Sequence, residues 1–201
     1  AYSAGLEAAI ERGWVRDTAS LEHWLAGQLE DGLAGLDLPV LERLHNAWLE
    51  SDEAALESWT MFLLASRETA ELRAEDIHIG RALARLLNDL GVADAAALDR
   101  ARSVTFATAL GLAGAHYGIS EHSLLQAYAW AWCENQVAAA VKLIPLGQSD
   151  GQRVLMQIAD RLPATVGAAT TLDDAAIGAT TPGVALASSW HETQYTRLFR
   201  S

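Results

Sequence analysis

Two stretches of the chain read Glu-x-x-His: Glu42–His45 and Glu75–His78. On a helix this spacing sets a carboxylate and an imidazole on one face, the pairing that di-iron bundles use to hold metal. Such a centre also needs two lone glutamates and a helix between the motifs. Here that helix would have to come from "SDEAALESWTMFLLASRETAELR". A di-metal carboxylate bundle is one reading of the two motifs; solvated helix faces that meet the spacing by chance are the other, and no metal site is assigned. His116 and His122 flank Gly118 as a looser pair. Cys133, the only cysteine, lies between Trp132 and Glu134 and reads as a buried free thiol. Nothing matches G-x-x-x-x-G-K-[ST] or G-x-S-x-G, so neither a phosphate loop nor a nucleophile elbow points to an enzyme, and no catalytic residue or cofactor is assigned.

A second kind of chemistry is charge. In "SRETAELRAEDIHIGR", Glu68, Glu71, Glu75 and His78 descend one helix stripe, with Arg67 one turn before Glu71 and Arg73 beside Asp76. As a solvent face this stripe is poorly tuned, because Glu71 and Glu75 repel each other at i,i+4. It is a candidate for a basic partner or a passing cation. In "VKLIPLGQSDGQRV" the chain's one lysine, Lys142, sits near a helix C-terminus ahead of a proline-broken apolar tetrad. The ending "SSWHETQYTRLFRS" finishes on two aromatics, Tyr195 and Phe199, and two guanidiniums, Arg197 and Arg200, unusual for a terminal segment.

The elements that must position these groups are helical. Leu6 and Ile10 share a face that stops at Gly13. Asp17 or Thr18 caps a helix with Leu21, Trp24, Leu25 and Leu29 at three- to four-residue spacing. Pro39 suits the first turn of a third helix, Ser51 and Asp52 restart the pattern, and Gly91 closes the helix reaching Leu90. Asp94 opens a segment through Val104, Phe106 and Leu110 to Gly118. Ser120 caps a long helix ended by Pro145 and Gly147, and Asp150 caps another through Leu162. "TLDDAAIGATTPGVALA" reads as a loop or broken helix interrupted by Pro182. The expectation is an all-α fold of about eight to nine helices. Residues 1–187 form one globular domain and 188–201 an interaction tail that depends on a partner.

Composition narrows the function. The 201 residues are 51% hydrophobic and 20% charged, with a formal net charge of −12. That charge argues against nucleic acid, and no basic amphipathic stretch favours a membrane. One cysteine, no spanning run and no signal-peptide pattern suggest the cytoplasm, with residues before Ala1 expected to be missing. Seven tryptophans are many for one core of this size, which suggests a shared surface and a homodimer.

Four segments in order, "YSAGLE" (2–7), "SRETAELRAEDIHIGRAL" (66–83), "AAAVKLIPLGQSDGQRVL" (138–155) and "HETQYTRLFRS" (191–201), resemble the urease accessory protein UreF family. The resemblance implies a non-enzymatic helical protein, commonly dimeric. Such a protein works with UreD (also called UreH) and the GTPase UreG to load nickel into apo-urease, bridging the two and modulating GTP hydrolysis. It points to His191, Glu192, Tyr195, Arg197, Leu198, Phe199, Arg200 and Ser201 as a tail that binds UreD or the dimer mate. Tyr2, Ser3, Glu7, Arg67, Glu68 and Lys142 are the candidate GTPase face. Glu71, Glu75 and His78 are candidates for steering nickel.

Overall fold

Short polar side chains start five of the α-helices among the described residues, each accepting a backbone N–H that the first turn would otherwise leave unpaired. In the computed structural model, which describes residues 2–101 and 103–201, every assigned element among the described residues is helical. Helix α1 (Leu6–Glu11) is followed by α2 (Thr18–Gly27), where Asp17 and Ser20 cap each other reciprocally. Asp52 starts α4 (Glu53–Ala65), Thr69 starts α5 (Ala70–Asp89), and Thr105 starts α7 (Phe106–Tyr117). Ser120 starts α8 (Glu121–Leu143). Gly91 and Gly118 have φ of +75° and +64°, and there the chain leaves α5 and α7.

Four boundaries differ from the sequence reading. Residues 18–50 form one unbroken helical run, because a π-helical stretch, Gln28–Asp37, joins α2 directly to α3 (Leu38–Glu50). Pro39 has no N–H to return to Gly35 four residues back, and the Gly35 carbonyl accepts from the Gly178 N–H at 2.9 Å. The segment expected to run from Asp94 divides into α6 (Ala95–Arg100) and α7. Gly147, not Asp150, precedes α9 (Gln148–Ala159), which ends before a separate α10 (Leu162–Ala169). Pro182 begins a helix instead of breaking one. It opens α11 (Pro182–His191), so the first residues of the expected tail are helical.

The core has two parts. The larger gathers α1, α2, α3, α8, α9 and α10, with Leu21, Leu25, Leu41, Leu125 and Ile158 sealed from solvent and Phe199 of the tail inserted among them. Helix α8 runs through it, so its buried residues point several ways instead of along one stripe. The smaller part, around Leu87, Leu98, Val104 and Leu112, joins α5, α6 and α7. Gly80 makes that join possible. A Cβ there would lie 2.5 Å from the Thr105 carbonyl carbon, so the α5 backbone rests directly on the start of α7. No helix among the described residues is long and apolar enough to cross a membrane.

Candidate partner-binding site

The site is built where both ends of the chain meet α5. Gly5, at φ +82°, turns the N-terminal segment into α1 and sits so close to α11 that a Cβ would approach the Ser188 nitrogen to 3.0 Å. This brings Glu7, nearly buried on α1, against the tail. One Glu7 oxygen accepts the Leu198 N–H at 2.7 Å and the other the Phe199 N–H at 2.9 Å. His191, fully buried at the end of α11, lies between Glu7 (3.3 Å) and Glu71 (2.7 Å); with both ring nitrogens protonated it donates to both. Arg197 reaches the other Glu71 oxygen at 2.6 Å. Ser3 donates its N–H and its hydroxyl to the Ser201 carbonyl, at 2.6 and 2.5 Å. The Ser201 hydroxyl in turn donates to Glu75 at 2.5 Å.

The predicted tail is therefore docked on its own domain. Phe199 is 6% exposed and Ser201 1%, whereas Tyr195 and Leu198 are 104% and 63% exposed. Arg200 and Glu192 are exposed as well. Backbone amides and inward side chains hold the segment, leaving a phenol, a leucine and a guanidinium outward. The Glu71–Glu75 repulsion expected of a bare stripe is relieved here by His191, Arg197 and Ser201, contributed from the far end of the sequence.

Beneath this junction lies a cleft of about 300 Å³ between the π-helical stretch, α5 and α8. Its floor is a buried ion cluster. Arg67 donates to Asp37 at 2.6 Å and to Asp76 at 2.8 and 2.9 Å, and the Tyr128 hydroxyl donates to Asp37 at 3.0 Å. Burial opposes the Arg67 charge, but Asp37 and then Asp76 outweigh it, so the guanidinium holds its proton more firmly than an ordinary arginine. Burial first and Asp37 second push the Tyr128 hydroxyl well above its usual range. The second Asp76 oxygen accepts the Phe106 N–H at 2.7 Å, tying the cluster to the start of α7. Glu75 forms part of the wall, and burial lifts its pKa to about 7 against the lowering effect of the Ser201 hydroxyl. The wide π-helical turns set Gln28, Leu33, Leu36 and Asp37 along one side, and such turns recur at functional sites.

The sequence-predicted residues fall into three groups. Ser3, Glu7, Glu71, Glu75, His191, Phe199 and Ser201 meet at the junction, with Tyr2 beside His78 at 3.3 Å. Arg67 looks inward instead of lying on a solvent stripe, since it precedes α5 and pairs with two buried aspartates; Arg73 folds back on the Leu64 carbonyl. Glu68 is exposed at the cleft. Lys142 is exposed near the tail, its ammonium 6.0 Å from the centre of the Phe199 ring.

The two Glu-x-x-His motifs do not come together. His45 is buried against α7, with burial lowering its pKa and Glu121 opposing, while Glu75–His78 faces the chain ends. Burial raises the Glu42 pKa, against the pull of Arg43. Among the described residues no group of three His, Cys, Asp or Glu side chains is placed to hold a metal ion. The Cys133 thiol is buried and pushed up to about 12 by that burial, which leaves it protonated at neutral pH. Sequence reasoning missed Asp37, Tyr128, Gln28 and the cleft. The one available signal was Asp37 itself, an acid inside the apolar run "LAGLDLPV".

Fold and site define a class: an all-helical protein whose two chain ends close over a carboxylate-lined cleft. The UreF family profile matches residues 15–159. The chain is 50% identical over 200 residues to the urease accessory protein UreF of Alkalilimnicola ehrlichii, a match spanning 100% of this chain and 88% of the relative. It is 47% identical over 203 residues to that of Chromohalobacter salexigens (100% and 87%) and 45% over 204 to that of Teredinibacter turnerae (100% and 90%). The chain belongs to the UreF family of urease accessory proteins.

Proposed function

We propose that this protein acts in urease maturation as a scaffold, bridging UreD (UreH) and the GTPase UreG. In this reading it modulates GTP-dependent nickel insertion into apo-urease and is not itself an enzyme. It works in the cytoplasm, as a homodimer. The observation that carries the reading is the divided tail: its backbone and Phe199 are anchored on Glu7 and the core, while Tyr195, Leu198 and Arg200 stand outward. Tyrosine and arginine are among the residues that dominate binding at protein interfaces, and here they lie on an ordered backbone. Membership of the UreF family supports urease maturation as the setting. The seven tryptophans, none of them fully buried, support a shared surface between copies.

In this assignment Tyr195, Leu198 and Arg200 face UreD or the dimer mate, with His191, Phe199 and Ser201 as anchors from inside. The exposed Glu68 and Lys142, with Tyr2, form the face for UreG. Glu71, Glu75 and His78 guide nickel only when the tail is displaced, because in the closed form the two glutamates are engaged by His191, Arg197 and Ser201. The test is co-elution with UreD and UreG of the intact chain and a Tyr195→Ala, Leu198→Asp double variant. Both changes are at exposed positions, so the fold is expected to persist by circular dichroism. Loss of the UreD complex with the fold intact is the expected result, and unchanged co-elution refutes the tail assignment.

A further inference from the structure

The cleft above the Asp37–Arg67–Asp76 cluster has a lining that selects one kind of guest. Four carboxylates, Asp37, Glu68, Glu75 and Asp76, share it with a single cation, Arg67, whose donors are already engaged by Asp37 and Asp76. Glu75 takes the Ser201 hydroxyl on one oxygen; the other has no hydrogen-bond partner among the described residues. Gln28 is 7% exposed, and its amide nitrogen lies on the Trp24 carbonyl at 3.4 Å, leaving the amide oxygen without a donor among the described residues. Asn135, exposed at the cleft rim, gives its nitrogen to the Tyr2 carbonyl at 3.3 Å, and its oxygen has no donor among the described residues. Three acceptors around one cleft therefore lack donors. All three stay open to solvent on the cleft side, so a donor-rich guest can reach them without displacing a protein hydrogen bond.

The fitting group is rich in donors, has no acceptor, is positively charged and tolerates apolar walls. A guanidinium has five N–H donors and no acceptor, is weakly hydrated and stacks on aromatic faces. Phe106 and Trp132 provide aromatic wall, and Leu36, Leu72, Ile79 and Val184 provide apolar surface for a methylene stem. A volume of about 300 Å³ is at the small end for ligand pockets and suits one side chain rather than a cofactor. The π-helical stretch places Gln28 and Asp37 on the same side of the cleft.

We propose that the cleft receives the arginine side chain of a partner protein, with Glu75 as its counter-charge and Gln28 and Asn135 as additional acceptors. This rests on the reading that the protein works by binding partners, and it names the chemistry by which one partner is held. Ionised Glu75 is the form that attracts the guest, so binding is coupled to loss of the Glu75 proton and strengthens as pH rises from 6 to 8.

The test uses the full chain and N-acetyl-arginine methylamide as probe, followed by NMR at the Trp132 indole and the Ala131 amide. The neutral isostere N-acetyl-citrulline methylamide is the control. Expected are saturable shifts with the arginine probe, at least tenfold weaker binding of the citrulline probe, and several-fold tighter arginine binding at pH 8 than at pH 6. Glu75→Gln is expected to abolish the arginine preference, and Ala131→Trp, which fills the cleft from an exposed position on α8, to abolish binding of both probes. Equal binding of the two probes, shifts confined to other acidic surfaces, or no saturable shift overturns the proposal. Co-elution with UreD and UreG separates this from the scaffold reading. If the wild-type chain assembles and Ala131→Trp assembles equally well, the cleft is not the partner's pocket and the proposal falls. If the wild-type chain does not assemble while the probe binds as described, the scaffold reading falls and the arginine site stands.

Discussion

Replacing Glu75 with glutamine keeps the shape and an acceptor for the Ser201 hydroxyl but removes a carboxyl that the fold holds at a pKa of about 7 against a reference of 4.5. A folded-state pKa above the unfolded one means that the native state binds more protons between those values. Stability from this group is thus fully present below pH 4.5 and is lost as pH rises through 7. The difference of about 2.5 units, at 1.36 kcal/mol per unit, sets a ceiling of roughly 3.4 kcal/mol. Glu75 is only part-buried and opens onto the cleft, so solvent screening brings the expectation to about 2 kcal/mol. The measurement is urea unfolding of wild type and Glu75→Gln at pH 4.5, 6, 7 and 8. The variant should gain on the wild type by about 2 kcal/mol across that range, with most of the gain between pH 5 and 7. A wild-type-minus-variant difference flat to within about 0.5 kcal/mol across the series would show that burial does not hold this carboxyl up.

Arg67→Met leaves Asp37 and Asp76 facing each other in a buried site, and unfolding free energy should fall by about 3–5 kcal/mol in the same assay; a loss under about 1 kcal/mol would mean that water already reaches the cluster. His45 has its pKa lowered by burial, and neither ring nitrogen has a partner among the described residues. The unfolded chain therefore binds the extra proton first as pH drops below 6.5, and stability falls with it. His45→Leu should flatten the loss between pH 7 and pH 5, and equal slopes for both proteins would count against the assignment. Gly80→Ala forces a methyl to within 2.5–2.9 Å of the Thr105–Phe106 backbone. It should cost about 1–3 kcal/mol and speed hydrogen exchange at the start of α7, whereas an unchanged thermal midpoint would contradict so close an α5–α7 approach.

What the sequence reveals is local. Asp17, Asp52 and Ser120 are readable as helix starts, and Gly91 and Gly118 as stops, because a cap is a transaction between neighbours in the chain. The all-helical class follows from the periodicity of the apolar residues, and the motif resemblance is enough for the family. The continuity of residues 18–50 is hidden because Pro39 ordinarily marks a helix start. Here the π-helical turns and the Gly178 N–H relieve the proline, and Gly178 lies far from Gly35 in sequence, so nothing local announces it. The site is hidden for the same reason. Arg67 looks like a member of a solvent stripe until Asp37 arrives from 30 residues upstream, and Glu7 looks like an exposed first-turn acid until Phe199 arrives from 192 residues downstream. A rule built on spacing along one helix has no access to charges supplied by another.

Glu75 stands between the two features that define the site. Its one oxygen accepts from Ser201, the last link of the tail, and its carboxyl is part of the cleft wall. A hydrogen bond to an ionised carboxylate is roughly twice as strong as one to a neutral acceptor. A cation entering the cleft favours the ionised form, and so strengthens the bond that holds Ser201 and, through Ser3, the N-terminal segment. On the proposal that the cleft takes a cation, its occupation and closure of the tail are coupled through the Glu75 proton, and by linkage a tail held closed favours the cation in turn.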